Sequence, residues 1–130
     1  QTQVDGSAVQ DAIQRALERV MGKQIRVMAC SRTDKGVHAR GQVVAFRGHR
    51  NTDAKAFVTR LNEYLPVDVV AVDGRVAPSD FHPRHSSRAK HYRYTIHNHP
   101  TRRVFGRHLA WHVKEPLDIE AMQRAASLLV

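Results

Sequence analysis

The chain has 130 residues, 42% of them hydrophobic, which suffices for one domain with a real core, and nothing in it suggests two. Its 21 Lys and Arg against 12 Asp and Glu leave a formal charge of +9, a surplus that favours a polyanionic partner without separating RNA, DNA and anionic membrane. No run approaches the roughly 18 apolar residues of a membrane span and no charged-then-apolar start marks a signal peptide, so a soluble cytoplasmic protein is the expectation.

In chain order, Val9, Ala12, Ile13, Ala16, Leu17 and Val20 recur at helical spacing, with Asp11, Gln14, Arg15, Glu18 and Arg19 on the other face. Ser7 with Gln10 has a capping-box pattern and Gly22 is the expected stop. Ile25–Cys30 and Gln42–Phe46 read as buried strands, and the lone cysteine, Cys30, is expected to be a buried, inert thiol. Asn51–Leu65 forms a second amphipathic helix through Phe57, Val58, Leu61 and Leu65, ended by Pro66, and Val67–Ala77 reads as a third strand. After an irregular stretch, His91–His97 alternates as a strand with Tyr92, Tyr94 and Ile96 on one face, of which Tyr94 and Ile96 are expected in the core. Pro116 fits the first turn of a last helix whose Ile119, Met122, Ala126 and Leu129 are expected to face inward.

The order helix, strand, strand, helix, strand is that of a ferredoxin-like or RRM-like β-α-β-β-α-β unit lacking its first strand. The expected fold is therefore α+β: an antiparallel sheet with helices packed on one face, plus an additional strand and a C-terminal helix. The chain is expected to be a single, partial domain, with the ferredoxin-like unit at 1–78 and a basic, RNA-facing extension at 79–130.

The stretch Ser31–Phe46, SRTDKGVHARGQVVAF, places Asp34 in a polar turn with Gly36 and Gly41, between two apolar runs. A carboxylate on a short loop between rigid strands is a recurrent arrangement for chemistry. The plainer reading is a surface ion pair of Arg32 with Asp34, which contributes only about 0–1 kcal/mol.

RTDxGVHAxGQV resembles the signature of the TruA-type tRNA pseudouridine synthases. Leu61, Asn62, Leu65 and Pro66 resemble that family's LNxxLP segment, Asp80–Arg84 (DFHPR) its DFHAR segment and Lys90–Tyr94 (KHYRY) its RxYRY strand. Four segments in the family's order are far more specific than one motif. Two features depart from the pattern. Lys35 stands where bacterial members carry a small residue, and the family's initial YDG…GWQ strand and its second half have no counterpart here. The chain is thus expected to be an internal piece, the Asp-bearing N-terminal half, of a longer protein.

The resemblance implies isomerisation of uridine to pseudouridine in a tRNA anticodon stem-loop, at positions 38–40, by a homodimer without cofactor or metal. It makes Asp34 the catalytic nucleophile or base. Arg32, on the same side if the segment is extended, would then keep Asp34 anionic, and Tyr92 would stack on the extruded uracil and assist at C5.

From Phe81 to Lys114 the chain has eight Lys and Arg and no Asp or Glu. Their interleaving with Tyr92, Tyr94, Phe105 and Trp111 offers phosphate contacts beside rings that stack on bases. The expected RNA contacts are Lys35, His38, Arg84, Arg88, Lys90, Arg93, Arg102 and Arg103. Seven of the nine histidines lie in the same region, but without a Cys pair or an H-E-x-x-H helix a zinc site is not expected. His38 and His82 are expected to order loops. The alternatives are a non-catalytic ferredoxin-like RNA-binding domain, against which the intact Arg32, Thr33 and Asp34 argue, and a metal-dependent nucleic-acid enzyme built on the histidines.

Overall fold

A computed structural model describes residues 8–48 and 53–129. The fold is α+β, with three helices and two small sheets, and the chain divides into compact units Gln1–Arg88 and Ala89–Val130.

In the first unit, the helical spacing produces α1, Val9–Met21, which buries Ala16 and Leu17. Gly22 stops it in the left-handed region, φ 70°, and its N–H donates to Glu18 O at 2.9 Å, a closure that glycine adopts without a Cβ penalty. The expected cap, Ser7, lies outside the described residues, and extended Ala8 precedes the helix without a side-chain cap. Asp11, expected on the polar face, is buried. It sits in the first turn, where the positive end of the helix favours a carboxylate.

The predicted strands shorten to β1, Met28–Ala29, and β2, Val44–Ala45, paired antiparallel with Met28 opposite Ala45 and Ala29 opposite Val44. Cys30 N–H donates to Val43 O at 2.9 Å and prolongs the pairing, and its thiol is free and buried, as expected. Helix α2, Ala54–Asn62, is capped by Asp53, whose carboxylate accepts from Lys55 N at 3.0 Å and Ala56 N at 3.2 Å. It ends three residues before the predicted Leu65, because Pro66 disfavours helical backbone at the residue before it. Residues 51 and 52 of the predicted helix lie outside the described residues. Ala16, Leu17, Ile25, Val27 and Leu61 form the core, with Phe46 and Phe57 stacked at 5.7 Å against it.

The strand expected over Val67–Ala77 does not form. Ala71 instead spends its backbone on a side chain: its N–H donates to Asn62 Oδ1 at 2.8 Å and its carbonyl accepts from Asn62 Nδ2 at 2.9 Å. The carboxamide stands in for a neighbouring strand at that one residue, and without a ladder beyond it Val67, Val70, Val72 and Val76 stay exposed. At the following turn Asp73 accepts from Arg75 Nε at 3.0 Å and from Gly74 N–H at 2.8 Å, which together hold its carboxyl below the usual aspartate range.

In the second unit, β3 is Ile96–Asn98, later and shorter than the predicted His91–His97. It pairs with β4, Trp111–Val113, which periodicity did not reveal, and the pairing is parallel, with Ile96 opposite Trp111 and Asn98 opposite Val113. The single antiparallel sheet of the expectation is thus two separate two-stranded sheets of opposite kinds. Asn98 anchors the exit from β4. Its Nδ2 donates to Val113 O at 3.0 Å and Glu115 O at 2.6 Å, and its Oδ1 accepts from Leu117 N at 3.1 Å.

Helix α3, Ile119–Ala126, starts at an Asp118 cap, so Pro116 lies before the helix rather than in its first turn. None of the described residues of this unit is buried. Ile119, Met122 and Leu129, expected to face inward, are exposed, and so is Tyr94, at 90%. Ile96 is half-buried. A unit of this size has too little chain to enclose both faces of a helix and a sheet.

Candidate active site

The loop between β1 and β2 carries Asp34. Its base is latched by two residues that sequence reading did not single out: Gln42 Nε2 donates to the Ser31 carbonyl, and Ser31 Oγ donates to Gln42 Oε1 at 3.4 Å. The signal available in sequence is the placement of two polar side chains at the inner ends of both strands. Above the latch, Val37 N–H donates to Asp34 O at 3.1 Å, and Gly36 has φ 85°. Asp34, Lys35, Gly36 and Val37 therefore form a turn of the type II pattern, which requires positive φ at its third residue. Asp34 is the first residue of this turn, and its carboxylate is exposed.

Arg32, Asp34, Lys35 and His38 share the loop and are all exposed. Among the described residues no ion pair joins Arg32 to Asp34. The surface ion pair of the plainer reading therefore does not form. No pocket residue coincides with the loop in the groove of about 340 Å³ lined by Arg15, Arg19, Glu63 and Tyr64.

A second ordered turn presents Arg84. His82 Nδ1 accepts from Arg84 N at 3.3 Å and His85 N at 3.4 Å, while Ser86 N–H donates to His82 O at 2.8 Å. His82 Nδ1 thus acts as the turn's cap, the loop-ordering role expected of it. Arg84 and Arg88 are exposed around it.

Tyr92, Lys90, Arg93, Arg102 and Arg103 all lie in the second unit and are exposed. His97, His99 and His112 gather there: His97 and His99 rings lie 5.7 Å apart, and His97 and His112 rings 5.4 Å apart. One ring nitrogen of each is engaged with backbone. His112 Nε2 donates to His99 O at 2.7 Å, His97 Nε2 donates to Thr101 O at 3.2 Å, and His99 Nδ1 accepts from Thr101 N at 3.0 Å. Among the described residues no group of three or more His, Cys, Asp or Glu is placed to hold a metal ion, and no helix is long and apolar enough to cross a membrane.

What the arrangement offers is an exposed carboxylate on a latched loop in one unit, and cations and rings in both. The chain is 44% identical over 97% of its length to tRNA pseudouridine synthase A of Pelobacter propionicus. It is 41% identical over 99% to the protein of the same name from Moorella thermoacetica, and 44% identical over its whole length to that of Myxococcus xanthus. No family model matches the chain. It spans 49–52% of the length of these three curated relatives. The resemblance to the TruA-type tRNA pseudouridine synthases thus extends over nearly the whole chain, at 41–44% identity to these three relatives.

Proposed function

We propose that the chain is the aspartate-bearing portion of an enzyme that isomerises uridine to pseudouridine in the anticodon stem-loop of tRNA, at positions 38–40. The observation that carries the reading is the 41–44% identity, over nearly the whole chain, to proteins named for tRNA pseudouridine synthesis. The exposed Asp34 on its latched loop supports it. The complete protein acts as a homodimer in the cytoplasm. Its fold is ferredoxin-like, a reading supported by the order α1, β1, β2, α2 in the first unit.

The reaction breaks the bond from N1 to C1′ of uridine, turns the uracil and joins C5 to C1′, with loss of the C5 hydrogen as a proton. Asp34 serves as the nucleophile at the nucleotide or as the base that deprotonates the ribose. The uridine leaves its stack to reach the carboxylate, and Tyr92 receives the extruded base. Arg32 binds a neighbouring phosphate rather than Asp34 itself, and Lys35, His38, Arg84, Arg88, Lys90, Arg93 and Arg102 line the RNA path. Recognition rests on RNA shape and phosphate placement more than on base edges.

The test is Asp34→Asn in the full-length protein, assayed by tritium release from C5-labelled uridine in tRNA, with filter binding alongside. Asn keeps the size and the turn but is no anion, so isomerisation is abolished while tRNA affinity and stability, within about 1 kcal/mol, are retained. Wild-type rates in the variant would refute the assignment.

A further inference from the structure

The loop between β3 and β4 is built to hold one ring outward. Phe105 is 90% exposed and Val104 is 65% exposed. Behind the ring, Arg103 folds back along the loop, and its Nε donates to the Phe105 carbonyl at 2.7 Å. Gly106 follows with φ 66°, and a Cβ there would lie 2.8 Å from Arg103 Nη2. The glycine therefore supplies both the left-handed turn and the room for the guanidinium. Its carbonyl then accepts Leu109 N–H at 2.9 Å and starts the 3-10 turn Arg107–Leu109. Three consecutive features thus fix the backbone around a ring that is almost wholly exposed.

An exposed phenylalanine needs an apolar or aromatic partner, and the neighbouring charges say which. Arg102 and Arg107 flank it, and no carboxylate occurs from Phe81 to Lys114. A protein partner's apolar patch does not require an acid-free basic surround; an unpaired nucleobase does, because it arrives on a phosphate chain.

Building on the function proposed above, we infer that Phe105 is a stacking platform for one unpaired base of the RNA, and that Arg103 is its positioning residue rather than a phosphate ligand. This revises the expectation for Arg103, since its Nε is already committed to Phe105 O.

The experiment measures binding of the full-length protein to a synthetic RNA stem-loop and to a fully paired duplex of the same stem, each across a salt series. Phe105→Ala weakens stem-loop binding roughly 5- to 150-fold and duplex binding little, whereas Phe105→Trp retains both. Arg103→Ala shows the same selective loss, leaves the slope of log K against log salt unchanged, and adds little to the loss in the Phe105→Ala background. Equal stem-loop affinity in Phe105→Ala, or no measurable RNA binding by the unsubstituted protein, overturns the platform. A slope lowered by about one in Arg103→Ala, with fully additive losses, overturns the positioning role and makes Arg103 a phosphate contact. Either failure, beside an Asp34→Asn variant that has lost isomerisation, leaves the enzymatic reading standing and removes this one alone.

Discussion

The two units differ in where their apolar residues go. Residues 8–48 and 53–88 bury Leu17 completely and close a core of α1, α2 and the segment Ile25–Val27. Residues 89–129 bury nothing and expose Tyr92, Tyr94, Phe105 and Trp111 among eight basic-run cations shared with the end of the first unit. The first arrangement holds a loop still; the second offers surface. The role proposed for Asp34 needs the former, since small misplacements of a reacting group are costly in rate. Rings and cations that meet a large polyanion need the latter. Division of labour between a packed scaffold and an open contact face is what the contrast teaches.

The largest effect on stability is expected where packing is tightest. Leu17→Ala should destabilise the chain by about 2–5 kcal/mol in urea unfolding followed by circular dichroism, because it opens a cavity between α1 and the core. A loss under about 1 kcal/mol would mean that the first unit is no better packed than the second, and the comparison would fail.

Next comes Asn62→Leu. It leaves the half-buried Ala71 N–H and C=O without partners, for a loss of about 1–3 kcal/mol and faster amide exchange at Ala71. Unchanged protection at Ala71 would show that another group, not the carboxamide, holds the segment extended.

Tyr92 tests the contact side of the contrast. In the full-length protein, Tyr92→Ala should cost tRNA affinity by about 1–3 kcal/mol in filter binding, while Tyr92→Phe keeps it. Slow turnover in Tyr92→Phe with unchanged affinity would assign the hydroxyl to proton transfer at C5. If both variants bind and react normally, Tyr92 is not in the site.

The smallest effect belongs to α3. Met122→Ala should alter the stability of the 130-residue chain by no more than about 0.5 kcal/mol, since Met122 is exposed. The same substitution measured in the full-length protein sharpens the comparison: a loss above about 1 kcal/mol there would reveal that the apolar face of α3 is covered by chain beyond this one.

The sequence by itself determined the local elements and the family. Helical spacing specifies α1 and α2, with Gly22 as the stop of α1, because helix bonds join near neighbours and caps act within a turn; the Asp53 cap of α2 came from the structure. The β1–β2 hairpin with Asp34 at its turn was legible for a like reason: Gly36 is the residue that a positive φ demands. The four ordered motifs carried the kinship that the relatives bear out. Only the tertiary structure decided the rest. Parallel pairing of Ile96–Asn98 with Trp111–Val113 joins residues that no local period connects. The clamp of Asn62 on Ala71, the latch of Gln42 on Ser31 and the fold-back of Arg103 onto Phe105 each depend on a side chain reaching one particular carbonyl or amide. The exposure of Tyr94 and of α3 depends on how much chain there is to cover them. A period says which residues share a face; whether anything packs on that face is a property of the whole assembly of elements.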